Sequence, residues 1–131
     1  MRVLIADKMS ADVVPNLKSL SCTVFQDSAL SGESLIAAIS EYDPQVLVVR
    51  STKVLDGHID AGTSLALVIR AGAGVNTIDL DHTSNRGVYV ANCPGKNAAA
   101  VAELALGHML NADRCIADNV AALRAGEWKK K

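Results

Sequence analysis

The chain predicts an α/β fold in which an open parallel sheet of five strands carries helices on both faces, and three observations lead there. Short apolar runs alternate with amphipathic segments, the grammar of repeated strand–helix–strand units. Half of the 131 residues are hydrophobic but only 3% are aromatic, so the core is built from Val, Leu, Ile and Ala, as in sheets covered on both faces. Every apolar run stops at polar or small residues before the next helical pattern starts.

Strand one is expected at residues 3–6, ending at Asp7 and Lys8; Ser10 or Asp12 then caps a helix to about Leu20, with Pro15 near its first turn. Strand two follows at 23–26. Ser31 caps the next helix, whose Leu35, Ile36 and Ile39 share one face, and Asp43-Pro44 ends it. Strand three, 46–49, stops abruptly at Arg50-Ser51-Thr52-Lys53, and a short polar helix at 56–61 leads to an apolar run at 65–69. This fourth strand opens through Arg70 into Ala71-Gly72-Ala73-Gly74-Val75. Thr77 or Asp79 starts a short helix to about Asn85, and strand five at 88–90 leaves through Asn92-Cys93-Pro94-Gly95-Lys96-Asn97.

An alanine-rich pattern then runs from Asn97 to about Arg124, with Val101, Leu104, Ala105, Met109, Ala112, Ile116, Val120 and Leu123 on successive turns. At 1.5 Å per residue this is a helix of roughly 40 Å, longer than the sheet needs, so it is expected to project from the domain and meet a second domain or subunit. A break near Asn111-Ala112-Asp113 is the alternative.

The strand exits collect Asp7, Lys8, Arg50, Ser51, Lys53, Arg70, Gly72, Gly74, Asn92, Lys96 and Asn97 at the carboxyl ends, where open α/β sheets hold ligands. The balance is cationic. Arg50 and Arg70 can clamp an anion through charge-assisted bonds, and glycines at 72 and 74 let the N–H groups of Ala73, Gly74 and Val75 reach a carboxylate without a Cβ in the way. The turn is not a dinucleotide fingerprint: Thr77 stands where G-x-G-x-x-G needs its third glycine, and no acidic residue follows about 20 residues on.

Other functions fit poorly. A phosphoacceptor receiver needs a carboxylate where strand three ends, and Arg50 is there instead. No strand exit carries a histidine, a G-x-S-x-G elbow or paired carboxylates, so no catalytic residue is assigned. Cys22, Cys93, Cys115 and the three histidines lack ligand spacing, so no metal site is assigned either, and the unpaired cysteines suit a reducing, cytoplasmic setting. Met1 directly precedes strand one, leaving no room for a signal peptide. A net charge of −1 predicts no nucleic-acid or membrane partner; the lysines at 129–131 read as a solvated tail, and polar residues interrupt the longest helix.

With those residues in hand, the chain resembles the amino-terminal part of the phosphoglycerate dehydrogenases within the NAD-dependent D-2-hydroxyacid dehydrogenase family. The match rests on Val48-Val49-Arg50-Ser51-Thr52-Lys53-Val54, on Arg70 through Leu80, on Asn92 through Asn97, on Ala102-Glu103-Leu104 and on Gly126-Glu127-Trp128, in family order. The resemblance implies a flavodoxin-like substrate-binding domain over residues 1–96, and a long interdomain and dimerisation helix with the start of the cofactor domain over 97–131. It implies that Arg50, Ser51 and Arg70 hold the phosphate end of 3-phosphoglycerate and that Gly72, Ala73, Gly74 and Val75 receive its carboxylate. By the same resemblance Asn97 would lie near the substrate and cofactor cleft, and Ala73 stands where relatives often carry Thr or Ser to contact NAD. The parent reaction would be oxidation of 3-phosphoglycerate to 3-phosphohydroxypyruvate in serine biosynthesis, by a homodimer joined through 97–124. This chain alone would be inactive, because the nucleotide turn and the acid–base pair of the family do not occur in it. A stand-alone anion-binding or dimerisation module is the alternative.

Overall fold

The computed structural model describes residues 1–128, so the lysines at 129–131 lie outside the described residues. Two compact units divide the chain after Pro94. The first holds a five-stranded, all-parallel sheet of order β2-β1-β3-β4-β5, formed by β1 (Arg2–Ile5), β2 (Thr23–Gln26), β3 (Val46–Val49), β4 (Leu67–Arg70) and β5 (Tyr89–Asn92). Four helices connect them: α1 (Val13–Ser19), α2 (Gly32–Tyr42), α3 (Asp56–Asp60) and α4 (Leu80–Asn85). The expected strands at 23–26 and 46–49 match β2 and β3 in full. The β5 ladder extends further, because Arg70 pairs with Asn92 in register, so the exit begins at Cys93.

Alternation along the strands splits the core. Leu4, Ala6, Leu47, Val49 and Val68 face α2 and α3, where Leu35, Ile39 and Ile59 are fully buried. Each such side chain contributes about 2 kcal/mol over leaving it in water. Val3, Ile5 and Val46 face the other way, onto Cys22 and the apolar side of α1, with Val13, Val14 and Leu17.

The second unit begins at Gly95 and contains α5 (Ala98–Arg114) and α6 (Ile116–Arg124). The expected single helix from 97 to 124 is therefore interrupted, at Cys115, which adopts the left-handed conformation with φ 50°. Two asparagines explain the place. Asn111 Oδ1 accepts the Ala117 N–H at 2.7 Å, and Asn119 Nδ2 donates to the Arg114 carbonyl at 3.1 Å, so side chains satisfy backbone groups that helix continuation would otherwise pair. No residue of α5 or α6 is buried. No helix among the described residues is long and apolar enough to cross a membrane.

Candidate functional site

The site is built from three adjacent strand exits. Val49 pairs with Arg70 and Arg70 with Asn92, so the ends of β3, β4 and β5 stand side by side. Parallel strands are about 4.8 Å apart, which puts their departing loops within reach of one small ligand.

At the β3 exit the chain wraps around the end of β1. Asp7 Oδ2 accepts the N–H groups of Arg50 at 2.6 Å, Ser51 at 3.1 Å and Thr52 at 3.1 Å, while Ser51 Oγ donates to Oδ1 at 3.0 Å. Partial burial pushes the Asp7 carboxyl up, but the bonds from Arg50, Thr52 and Ser51 together outweigh it and hold the group below its ordinary 3.8. Further along, Val54 N–H donates to the Thr77 carbonyl at 2.8 Å and Asp79 N–H to the Val54 carbonyl at 2.9 Å. The β3 and β4 exit loops are thereby joined by a short parallel bridge, Val54 to Ile78.

At the β4 exit Ala71 N–H still bonds to Val49 at 2.7 Å, and Gly72 N–H closes a three-residue turn onto the Arg70 carbonyl at 2.8 Å. The half-buried Arg70 side chain folds back over this turn. A Cβ on Gly72 would run into its Nη1 and lie 2.6 Å from Cζ, so the first glycine makes room for the arginine of its own strand. Arg70 Nε is buried and has no hydrogen-bond partner among the described residues. From β5, Cys93 N–H donates to the Gly72 carbonyl at 2.9 Å and Asn92 Nδ2 to the Ala73 carbonyl at 2.7 Å. These bonds fix the carbonyl side of the turn and leave its donors open: among the described residues, the N–H groups of Ala73, Gly74 and Val75 take no partner.

Arg50, Ser51, Arg70, Gly72, Ala73, Gly74 and Val75 thus lie on two bridged exit loops. Arg50 and Lys53 are exposed; the Ser51 hydroxyl proton is given to Asp7, leaving that oxygen only lone pairs to offer. Asn97 belongs to the second unit, at the N-cap of α5, where its carbonyl accepts Val101 N–H at 3.0 Å and its side chain makes no capping bond. Three contributors had only weak signals in the sequence: Asp7 as anchor, Asn92 as the support of Ala73, and the Val54–Ile78 bridge. An acidic residue directly after strand one, facing Ser51 and Thr52 across the sheet's switch point, was the available hint.

This arrangement can hold and orient an anion. Two of the three histidines are engaged elsewhere: His58 lies buried in α3, with Nδ1 accepting Leu55 N–H at 3.2 Å, and His82 pairs with Asp60 at 3.0 Å.

Comparison with known proteins agrees with the fold and the motifs. A family model for the D-isomer specific 2-hydroxyacid dehydrogenase catalytic domain matches residues 3–129. A hydroxypyruvate reductase from Thermotoga maritima is 40% identical over 126 residues, covering 95% of this chain and 40% of that protein. A D-3-phosphoglycerate dehydrogenase from Methanocaldococcus jannaschii is 36% identical over 132 residues, covering 100% of this chain but 25% of that protein. Among solved structures, the NAD-bound 3-phosphoglycerate dehydrogenase of Entamoeba histolytica superposes with a TM-score of 0.72 at 28% identity, covering 85% of this chain and 38% of that one. The chain therefore spans 25–40% of the length of these two curated relatives. The match over residues 3–129, on a five-stranded parallel sheet, shows that the chain belongs to the D-isomer specific 2-hydroxyacid dehydrogenase family.

Proposed function

We propose that the chain is the substrate-binding segment of an NAD-dependent D-2-hydroxyacid dehydrogenase that oxidises 3-phosphoglycerate to 3-phosphohydroxypyruvate, in the cytoplasm and in serine biosynthesis. Residues 1–96 form the substrate-binding domain, and 97–131 supply the interdomain and dimerisation helix that leads into the cofactor domain. The observation that carries the reading is the half-buried Arg70 with an unpartnered Nε, folded over Gly72 at the head of the loop that carries the three open amides of residues 73–75, beside the strand exit that carries the exposed Arg50. Two guanidinium groups suit a dianionic phosphate, and a row of backbone N–H groups suits a carboxylate. Two anionic ends favour a phosphorylated hydroxyacid over lactate or glycerate.

The residues of the turn do not fit a dinucleotide. Arg70 fills the space above Gly72 that a diphosphate would need, and Thr77 stands at the sixth position. NAD belongs in this reading to the part of the enzyme that extends beyond this segment. The family resemblance assigns Ala73 and Asn97 to it as contacts, and this reading gives the chain no catalytic group, so the segment is expected to be inactive in isolation.

Titration calorimetry of the 131-residue chain with 3-phosphoglycerate tests the anion site. Binding is expected for the wild type and for Lys18→Ala on the exposed side of α1, and its loss is expected in Arg70→Ala. Equal affinity in the two variants would refute the placement.

A further inference from the structure

In a sheet of order 2-1-3-4-5 the chain reverses direction of winding between β1 and β3, and the crevice outside those two strand ends is where such sheets ordinarily take a ligand. Here the crevice is bridged from within. One carboxylate, Asp7, gathers three consecutive backbone amides and one hydroxyl at 2.6–3.1 Å. Three successive N–H groups converging on one oxygen constitute an anion receptor, and a side chain of the same chain fills it. One strand over, where Ala71 and Gly72 N–H are bonded, the next three amides, at Ala73, Gly74 and Val75, are free among the described residues. The two loops that carry these rows are joined further along by the Val54–Ile78 bridge.

We propose that Asp7 is the positioning residue of the anion site: its carboxylate is an internal anion that occupies the amides of residues 50–52, fixes the base of Arg50, and so directs a ligand's carboxylate to the amides of residues 73–75. Without it two competing seats exist, and Arg50 departs from a loop that no longer has a fixed base. The chemistry also explains an acidic residue in a mouth that otherwise collects cations. Its charge is consumed by backbone donors, so it does not neutralise Arg50 in place of the ligand.

This inference rests on the anion-site reading above, and its test separates the two. Amide resonances of the 131-residue chain are followed by NMR while 3-phosphoglycerate, and separately formate, is added to the wild type and to Asp7→Ala. In the wild type 3-phosphoglycerate is expected to shift residues 73–75, and formate is expected to leave 50–52 unmoved. In Asp7→Ala formate is expected to shift 50–52 and partly restore 3-phosphoglycerate affinity, which is otherwise about tenfold weaker. A general loss of packing would not relocate the responding amides. Wild-type affinity in Asp7→Ala, or formate without effect at 50–52, would overturn the proposal. If the wild type shows no response to 3-phosphoglycerate, the anion-site reading fails, while the formate response at 50–52 still decides whether Asp7 is an internal anion. Should Asp7→Ala not fold, Asp7→Asn keeps one acceptor oxygen without the charge. It is expected to move the Arg50 amide proton upfield and weaken binding a few-fold, and an unmoved Arg50 amide would equally overturn the proposal.

Discussion

Gly72 shows how a residue can be placed correctly and explained differently. In sequence, the spacing of Gly72 and Gly74 suggests backbone opened for a ligand. In the folded chain neither glycine adopts a positive φ, and the space at Gly72 is taken by Arg70 from two residues earlier. That relation depends on an arginine rotamer, which no residue pattern encodes. Gly72→Ala should therefore fold but swing the guanidinium off the turn, and 3-phosphoglycerate affinity should fall about tenfold through the loss of charge-assisted bonds. Gly74→Ala makes the comparison, because its Cβ would meet only Asn76 Oδ1 at 3.1 Å, the far end of a side chain that can move. Calorimetry that ranks Gly74→Ala as the more damaging change would contradict this account.

At the scale of elements, ends matter more than interiors, and the Asp43-Pro44 boundary is the clearest example. The sequence marks it only as the stop of α2. In the structure Asp43 is the left-handed C-cap, with φ 41°, and ties three elements together. Its carboxylate accepts Ser64 N–H at 2.8 Å, Ser64 Oγ at 2.5 Å, Thr63 Oγ1 at 2.9 Å and Arg2 Nη2 at 3.0 Å. The Ser64 hydroxyl and amide, then Thr63 and the Arg2 charge, outweigh desolvation and hold its pKa at about 2, against an ordinary 3.8. A carboxyl depressed in the folded state contributes stability that is complete above its unfolded pKa and is lost as pH falls towards the folded value, because the unfolded chain binds the proton first. Urea midpoints should thus be flat above about pH 5 and decline between about pH 4 and pH 2. Asp43→Asn should show a shallower decline than the wild type, the remainder coming from Asp7, Asp12 and Asp60, whose carboxyls are also lowered. Identical acid slopes in the two proteins would count against the Asp43 linkage.

The same scale separates what was legible from what was not. Apolar runs bounded by polar residues located β2 and β3 to the residue, since a buried parallel strand has a local signature. Asn111 was visible as a weak point in the long helix. The break falls instead at Cys115, because the Asn111 side chain reaches six residues ahead to Ala117, and a contact of that span has no periodicity to betray it. Arg50 and Arg70 were legible as charges at strand ends. The bonds from Asp7 to the amides after β3 and the Val54–Ile78 bridge were not, because they join positions 43 to 45 and 24 residues apart through backbone groups whose identity the sequence does not record.

For the molecule as a whole, the balance between its two units raises the question of assembly. The sheet unit buries its apolar side chains in two clusters, one on each face. In the second unit Val101, Leu104, Leu106, Met109, Leu110 and Leu123 are 57–65% exposed, on helices with no buried residue. So many exposed aliphatic side chains on α5 and α6 lead us to expect an association surface there. A stable interface asks for roughly 1,200–2,000 Å² of buried surface, with an apolar centre that these residues can supply. Pairing of two copies through 97–124 would place like against like, as a twofold interface requires. The 131-residue chain should accordingly sediment as a dimer at micromolar concentration, with a monomer fraction that grows on dilution. Replacing Leu104 and Met109 together by Glu should yield a monomer, since burying two uncompensated carboxylates at such an interface costs several kcal/mol, on the order of the association energy itself. A wild-type chain that remains monomeric across that range would remove the basis for pairing through these helices. A double variant that stays dimeric would move the contact to another surface of the chain.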